Sequence, residues 1–217
     1  MRLLSTALVF AVLAVAPVLG QTVLFEDNFN GTLGAGWSWV REHREAWRVS
    51  ARGLEVRVEP GNMWGRANDA RNVLIRPAPD LAAGAVAISV TVENRPTAQY
   101  DQVDLVWYYD DSHMVKIGQE LVDGQLSIVM GREENDRTRT IRIVPLEAFA
   151  VELRFLVNGT AIRGQFRPVG AEPWQEVGET DVPAPAGGRP HISLQVYQGP
   201  ADAEHWARIS QFRIQRP

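Results

Sequence analysis

Apolar and polar residues alternate along most of this chain, and helical periodicity is nearly absent. The segment "GLEVRVE" places Leu54, Val56 and Val58 on one face and charged residues on the other. The same alternation runs through "AVAISVTVE", "HISLQVYQ" and "WARISQFRIQR". A period of two is typical of strands in a sheet that buries one face. About a dozen such short strands predict an all-β fold, a two-sheet antiparallel β-sandwich.

The segment "AVELRFLVNGTAIRGQFRPV" predicts a hairpin. Its Asn158-Gly159 pair is a preferred sequence for a two-residue type I′ turn, and we place the turn there.

Two further turns predict the register in the middle of the chain. A three-residue loop at 110–112 would pair Tyr109 with His113, and therefore Asp104 with Gly118. The Asp-Gly pair at 123–124 then continues the sheet into "QLSIVM".

These registers sort the side chains of three strands onto two faces. One face is apolar and is predicted to be core: Val103, Leu105, Trp107, Tyr109, Val115, Ile117, Leu121, Leu126, Ile128 and Met130. The other face is polar: Gln102, Asp104, Tyr108, Lys116, Glu120, Gln125 and Ser127.

The first twenty residues differ from the rest of the chain. "MRLLSTALVFAVLAVAPVLG" has one positive charge, Arg2, then an apolar run that ends in small residues. This is typical of a secretory signal peptide that is cleaved after Gly20. We therefore expect a secreted or periplasmic protein whose residues 21–217 form one domain, with no membrane attachment after cleavage.

Charge and cysteine content exclude several classes. The formal net charge is −4, and loss of Arg2 makes it −5, which argues against nucleic acid and anionic membrane surfaces as partners. The chain has no cysteine, so disulfides, thiol catalysis and cysteine-ligated zinc are excluded.

The polar face carries the candidate chemistry. Asp104 lies diagonal to Lys116, the only lysine in the chain, and to Glu120. One interpretation is a solvated sheet face with weak ion pairs. The other is a ligand-binding face, in which these three residues bind sugar hydroxyls and Tyr108 offers a ring.

A hydrolase is the alternative function. Asp104 and Glu120 are then the catalytic carboxylate pair, since glycosidases use two carboxylates across the scissile bond. No Gly-x-Ser-x-Gly elbow, phosphate loop or His-Glu-x-x-His zinc motif is present.

Four of the seven tryptophans lie between residues 37 and 64. Trp37 and Trp47 flank strands and are predicted to pack in the core. Trp64 lies in the turn-rich "EPGNMWGRAND" and is either an exposed sugar-binding ring or a plug at the end of the sandwich. Asp27 in "FEDNFNG" weakly suggests calcium, although turn formation is the better explanation. We otherwise expect no cofactor.

Residues 25–77, followed by "DQVDLVWYYDDSHMVKIGQELVDGQLSIVM", resemble the concanavalin A-like module at the C-terminus of bacterial and fungal β-xylosidases, and related stand-alone domains of uncharacterised function. The most specific features are Trp37 and Trp47 with the "GLEV" strand, "MWG" with "ARNVL", and the strand pair that contains Asp110, Asp111 and Lys116.

The resemblance implies a concanavalin A-like jelly roll and, by analogy of fold, a carbohydrate such as xylan as partner. In the xylosidases the module packs on a catalytic propeller, which these 217 residues lack. We therefore expect a carbohydrate-binding or accessory module that is not catalytic, with Asp104, Tyr108, Lys116, Glu120 and Trp64 as ligand-binding residues.

Overall fold

The computed structural model describes residues 21–216, which form fifteen strands and two short 3₁₀ turns, Arg44–Ala46 and Leu81–Ala83. The predicted signal peptide, residues 1–20, lies outside the described residues. Within 21–216 no helix is long and apolar enough to cross a bilayer. The strands are β1 (Thr22–Asp27), β2 (Ser38–Val40), β3 (Trp47–Ser50), β4 (Gly53–Arg57), β5 (Val73–Pro77), β6 (Val86–Glu93), β7 (Gln102–Asp110), β8 (His113–Val122), β9 (Gln125–Glu134), β10 (Arg137–Pro145), β11 (Ala150–Asn158), β12 (Ala161–Pro168), β13 (Gln175–Asp181), β14 (His191–Tyr197) and β15 (Trp206–Arg216).

The strands form two antiparallel sheets. Sheet A has the order β13-β12-β11-β6-β15-β4-β3, and β1 pairs with β15 at its C-terminal half. Sheet B has the order β10-β9-β8-β7-β14-β5-β2. The predicted all-β, two-sheet antiparallel sandwich is confirmed.

The core lies between the sheets and is built from the alternation described above. Trp107 and Ile117 of sheet B and Phe155 and Phe212 of sheet A are at most 1% exposed. Most of the predicted apolar face of β7, β8 and β9 points into this core: Val103, Leu105, Trp107, Val115, Ile117, Ile128 and Met130 belong to it, and Tyr109 and Leu126 pack against it. Leu121, which was also predicted to be core, is half-buried near the end of β8 and is not part of this cluster.

The predicted register of these strands is largely confirmed. Asp104 pairs with Gly118, as predicted from the turns. Near the β7–β8 turn the prediction was wrong: His113 pairs with Asp110, not with Tyr109. The Asp110 carboxylate accepts a hydrogen bond from the Ser112 amide at 2.9 Å, which stabilises a shorter loop, and the register shifts at Tyr109.

The β11–β12 hairpin forms, but its turn is one residue further along than predicted. Asn158 pairs with Ala161, so Gly159 and Thr160 form the loop. Gly159 has φ +58, which glycine adopts at little cost, whereas Asn158 remains in the extended strand.

Trp37 and Trp47 pack against the core, as predicted. The Trp37 ring contacts Phe212 with 5.0 Å between centroids, and its Nε1 donates to Asp27 at 3.0 Å. Asp27 also accepts from the amides of Phe29 and Gly34 at 2.7 and 2.8 Å. Its carboxylate therefore organises the turn after β1.

Candidate functional site

The outward face of sheet B is mostly covered rather than open. A long connection, residues 58–72, crosses it and places the half-buried Trp64 above β8 and β9. Under this segment the polar residues of β7 and β8 are buried: Asp104 is 0% exposed and Lys116 is 3% exposed. The predicted polar face is thus a buried polar cluster with an opening at one side.

Lys116 is the centre of this cluster. Its ammonium group donates to Gln102 Oε1 and, at 3.0 Å, to Glu120 Oε2, and it lies 3.9 Å from Asp104 Oδ2. The same group is 5.1 Å from the centroid of the Trp64 ring, within cation–π range. Burial alone would lower the pKa of Lys116, but Asp104 and Glu120 outweigh burial and raise it, so the ammonium stays charged.

Asp104 is the least compensated carboxylate of the cluster. Neither of its oxygens has a hydrogen-bond partner of ordinary geometry among the described residues. Burial raises its pKa to about 6, against the opposing attraction of Lys116. Asp104 therefore binds a proton in mildly acidic solution, whereas Lys116 and Glu120 form the lasting ion pair.

Glu133, at the end of β9, ties the covering segment to the sheet. Its Oε2 accepts from the Gly65 amide at 3.1 Å, and the side chain is fully buried. Burial raises its pKa to about 7, although the bond from Gly65 acts in the opposite direction.

Trp64 is held in place on both sides. The Asn62 side chain accepts from the Trp64 amide and donates to the Trp64 carbonyl, both at 2.9 Å. The indole ring lies over Gly131, where an added Cβ would come within 2.5 Å of Trp64 Cη2. A glycine in β9 thus makes room for the ring, which is half-buried, covers part of the outward face of sheet B and lines a cavity.

This cavity, called here the Trp64 cavity, has a volume of about 420 Å³. Lys116 and Glu120 lie at its polar end, and Trp64 and the 44%-exposed Tyr100 provide aromatic walls. Its other lining residues are Asn62, Gln102, Val122, Val129, Thr140, Ile143 and Gln198.

The structure brings four of the five predicted ligand-binding residues together, namely Trp64, Lys116, Glu120 and Asp104. The first three line the cavity, but Asp104 lies beneath them and does not reach it. Tyr108 lies elsewhere: it is 6% exposed, packs in a separate apolar cluster, and its hydroxyl donates to Asp111 at 2.7 Å.

Sequence reasoning missed Glu133, Tyr197 and Tyr100. Glu133 follows Ser127 at even spacing on β9, so strand parity alone would have placed it on the same face. Tyr197 pairs with Gln102 across β14 and β7, a contact between distant segments that no turn in the sequence predicts.

The described part of the chain contains no group of three or more His, Asp or Glu side chains arranged to hold a metal ion. At Asp27, the residue that suggested calcium, both carboxylate oxygens accept N–H donors, as described above.

Comparison with known proteins identifies the architecture. A family model described as the beta xylosidase C-terminal concanavalin A-like domain matches residues 26–184. No curated protein sequence matches the chain.

Among solved structures, the GH43 BlXynB protein from Bacillus licheniformis has a TM-score of 0.76 at 18% identity, over 87% of this chain and 38% of that protein. The xylan beta-1,4-xylosidase from Bacillus halodurans has a TM-score of 0.77 at 16% identity, over 94% of this chain and 41% of the enzyme. A functionally unknown protein from Saccharomyces cerevisiae has a TM-score of 0.65 at 14% identity, over 84% of this chain and 97% of that protein.

These structures share the fold of the present chain, which spans about two fifths of the length of the xylosidase and nearly the whole of the yeast protein. The family model covers well over half of the chain, and the two antiparallel sheets agree with it. The chain belongs to the family of beta xylosidase C-terminal concanavalin A-like domains.

Proposed function

We propose that this chain is a carbohydrate-binding or accessory module without catalytic activity of its own, and that the Trp64 cavity binds a sugar unit of a xylan-type glycan. The observation that supports this proposal most directly is the composition of the cavity. Two aromatic side chains and a buried ion pair line one cavity of about 420 Å³, within the roughly 300–1,000 Å³ of small-molecule sites.

The chemistry of the cavity suits a neutral sugar. Trp64 and Tyr100 offer apolar surface to the C–H face of a pyranose, and Lys116 and Glu120 lie within reach of its hydroxyl groups. Trp64 is preorganised by Asn62 and Gly131, so binding does not have to order it. The few contacts available correspond to a weak affinity, between about 1 mM and 1 μM.

The geometry disfavours the hydrolase alternative. The Lys116 ammonium lies between the two carboxylates, at 3.9 Å from Asp104 and 3.0 Å from Glu120. Asp104 is also fully buried. A glycosidic bond has no access to the space between these two groups.

Titration calorimetry with xylo-oligosaccharides and a panel of other neutral oligosaccharides tests the proposal. Trp64→Ala should weaken binding at least about tenfold, equivalent to about 1.4 kcal/mol, because it removes an aromatic wall of the cavity. Trp206→Ala is the matched control: it removes a tryptophan that is also partly exposed, at the start of β15 and outside the cavity, and should leave the affinity unchanged. Equal losses in both variants, or no binding by the unmodified protein, would overturn the proposal.

We also propose that the protein acts outside the cytoplasm, secreted or in the periplasm. The support is the apolar run after Arg2 with small residues before Gln21. Mass spectrometry of the protein from its native host should find Gln21 as the first residue. A chain that retains residues 1–20 would contradict cleavage.

A further inference from the structure

A second concave site lies on the opposite side of the molecule, on the outward face of sheet A. This surface, called here the Arg154 groove, has a volume of about 530 Å³. The lining residues that bear on its chemistry are Ser89, Thr91, Arg154, Arg167, Trp174 and Gln211. It shares no lining residue with the Trp64 cavity.

The groove crosses the strands of sheet A. One row of paired residues runs from Gln165 through Arg154, Ser89 and Arg213 to Glu26, on five successive strands. With neighbouring strands about 4.8 Å apart, this row is roughly 19 Å long. The side chain at the centre of this row, Ser89, is small, so the groove is deepest there. An extended chain of several sugar rings fits along it.

A register irregularity in β15 shapes one wall. The pairing of β15 with β6 shifts between Ser210 and Arg213, and Gln211 there has φ +52. Bulges of this kind redirect side chains and are frequent beside binding sites. Gln211 Oε1 accepts from Thr91 Oγ1 at 3.2 Å, so the amide lies over the floor of the groove.

Arg154 differs from the other two arginines of this surface, because it has no ion-pair partner among the described residues. Arg167 pairs with Glu152 at 2.7 Å and Arg213 with Glu26 at 3.3 Å. Among the described residues Arg154 forms no ion pair: Nε and Nη2 both donate to the neutral amide oxygen of Gln165. Burial lowers the pKa of Arg154 and the neighbouring Arg167 lowers it further, whereas Glu176 and Glu152 act in the opposite direction.

The Arg154 side chain is also held in place. Its guanidinium carbon lies 3.9 Å from the centroid of the Trp174 ring, and Arg167 lies 4.5 Å from the same ring. The bonds to Gln165 use the Nε side of the guanidinium. The outer edge, Nη1 with the second hydrogen of Nη2, keeps donors in the fork geometry that matches a carboxylate.

We propose that the Arg154 groove is a second glycan-binding site, one that takes an oligosaccharide containing a uronic acid. The uronic carboxylate binds the outer edge of Arg154. Hydroxyl groups of the neighbouring sugars contact Ser89, Thr91 and Gln211, and Trp174 forms an apolar side wall. This site is separate from the Trp64 cavity and stands whether or not the cavity binds a neutral sugar.

Calorimetry with two acidic probes that lack a xylan backbone, a galacturonic acid hexamer and a guluronic acid hexamer, tests the groove against the neutral xylo-oligosaccharide of equal length. At least one acidic probe should bind, and Arg154→Gln should lower the affinity for that probe at least about tenfold. Arg154→Lys should also lose affinity, because a point charge lacks the paired donors. Raising the salt concentration should weaken the affinity for the acidic probe and leave the affinity for the neutral oligosaccharide unchanged.

Two matched variants serve as controls. Arg163→Gln removes an arginine from the same outward face, where it pairs with Glu179 at 3.1 Å outside the groove, and should bind the acidic probe normally. Trp64→Ala, in the Trp64 cavity, should do the same. Ser89→Tyr fills the floor of the groove, retains Arg154 and should abolish binding of the acidic probe. This variant keeps the proposal testable if the Arg154→Gln protein does not fold.

Several results would overturn the proposal: no binding of either acidic probe, unchanged binding in both Arg154→Gln and Ser89→Tyr, or equal losses in Arg163→Gln. Binding of the acidic probe that disappears in Trp64→Ala would assign it to the cavity instead. Preferential capture of an acidic peptide over both sugars would assign the groove to a protein partner and also contradict the proposal.

Discussion

At the residue scale, the buried groups around Lys116 couple folding to pH. Three carboxyl groups, Asp104, Glu120 and Glu133, influence one ammonium group. Burial raises the pKa of Asp104 to about 6 and that of Glu133 to about 7. One cation does not compensate three anions in a buried site, so two of the carboxyl groups take up protons near neutral pH.

Glu133 gives the simplest test of this coupling. Its pKa in the folded protein, about 7, is above the ordinary value of 4.5. Its contribution to stability is therefore complete below pH 4.5 and is lost as the pH rises towards 7. Glu133→Gln cannot ionise but still accepts from Gly65. Relative to the unmodified protein it should gain stability between these pH values, by at most about 3 kcal/mol.

Denaturant unfolding at several pH values from 4 to 8 measures this difference. The matched control is Glu134→Gln, on the adjacent exposed residue, where a hydrogen bond from Arg132 lowers the pKa of Glu134. This control should show no gain as the pH rises. If the difference in free energy of unfolding between Glu133→Gln and the unmodified protein does not change with pH, Glu133 is not held neutral by burial.

Trp107 tests the assignment of the two faces. It is fully buried among the core residues of sheet B. Trp107→Ala should lower the free energy of unfolding by roughly 3–5 kcal/mol, as large aromatic truncations in cores do. Trp206→Ala, at the partly exposed start of β15, should cost clearly less. A loss below about 1 kcal/mol at Trp107 would contradict its place in the core.

At the element scale, alternation and turns predicted the sheet well where both were present. The β8–β9 register follows from Asp123 and Gly124, whose φ values of +50 and +78 fit a type I′ turn. At the β7–β8 turn, a hydrogen bond from Ser112 to Asp110 shortened the loop by one residue, and alternation does not report such a bond.

The covering segment 58–72 was the main feature that the sequence did not reveal. The sequence left open whether the polar face of β7 and β8 was solvated or bound a ligand, because alternation shows only which side a residue faces, not what lies above it. The contacts that hold the segment in place are those of Gly131 with Trp64 and of Glu133 with Gly65, and both join parts of the chain that are far apart in the sequence.

Gly131 links this segment to ligand binding. In Gly131→Ala the new Cβ would come 2.5 Å from Trp64 Cη2, so the ring must leave its position. We expect about a tenfold weaker affinity for the neutral sugar, equivalent to about 1.4 kcal/mol. Ser127→Ala, four residues earlier on the same face of β9, should bind normally. Calorimetry that finds the same affinity in Gly131→Ala would show that the position of Trp64 does not matter.

At the scale of the whole molecule, the sandwich presents two unlike concave surfaces on opposite sheets. The Trp64 cavity has aromatic walls and an ion pair, whereas the Arg154 groove is long and polar and carries a guanidinium that forms no ion pair within residues 21–216. If both proposed sites bind as argued above, one module holds two parts of a branched, partly acidic polysaccharide at once. Two weak sites on one polymer raise the overall affinity without any additional contact.

Glu120 distinguishes a binding module from an enzyme. Its Oε2 accepts from Lys116 at 3.0 Å at the edge of the Trp64 cavity. Glu120→Gln keeps the shape and one acceptor oxygen but removes the charge. A binding module should lose no more than about tenfold in affinity. An enzyme that uses this carboxylate as acid or base should lose at least about a hundredfold in rate while it still binds.

The measurement combines calorimetry on xylo-oligosaccharides with product analysis after long incubation, and Glu172→Gln, an 82%-exposed glutamate on sheet A's side, is the control. We expect no released sugar from any of the proteins, because Lys116 fills the space between Asp104 and Glu120. Release by the unmodified protein and by Glu172→Gln, together with its loss in Glu120→Gln, would establish a hydrolase. In that case Lys116 would have to move away from Asp104 when substrate binds, and the ion pair described here would be the resting state of an active site.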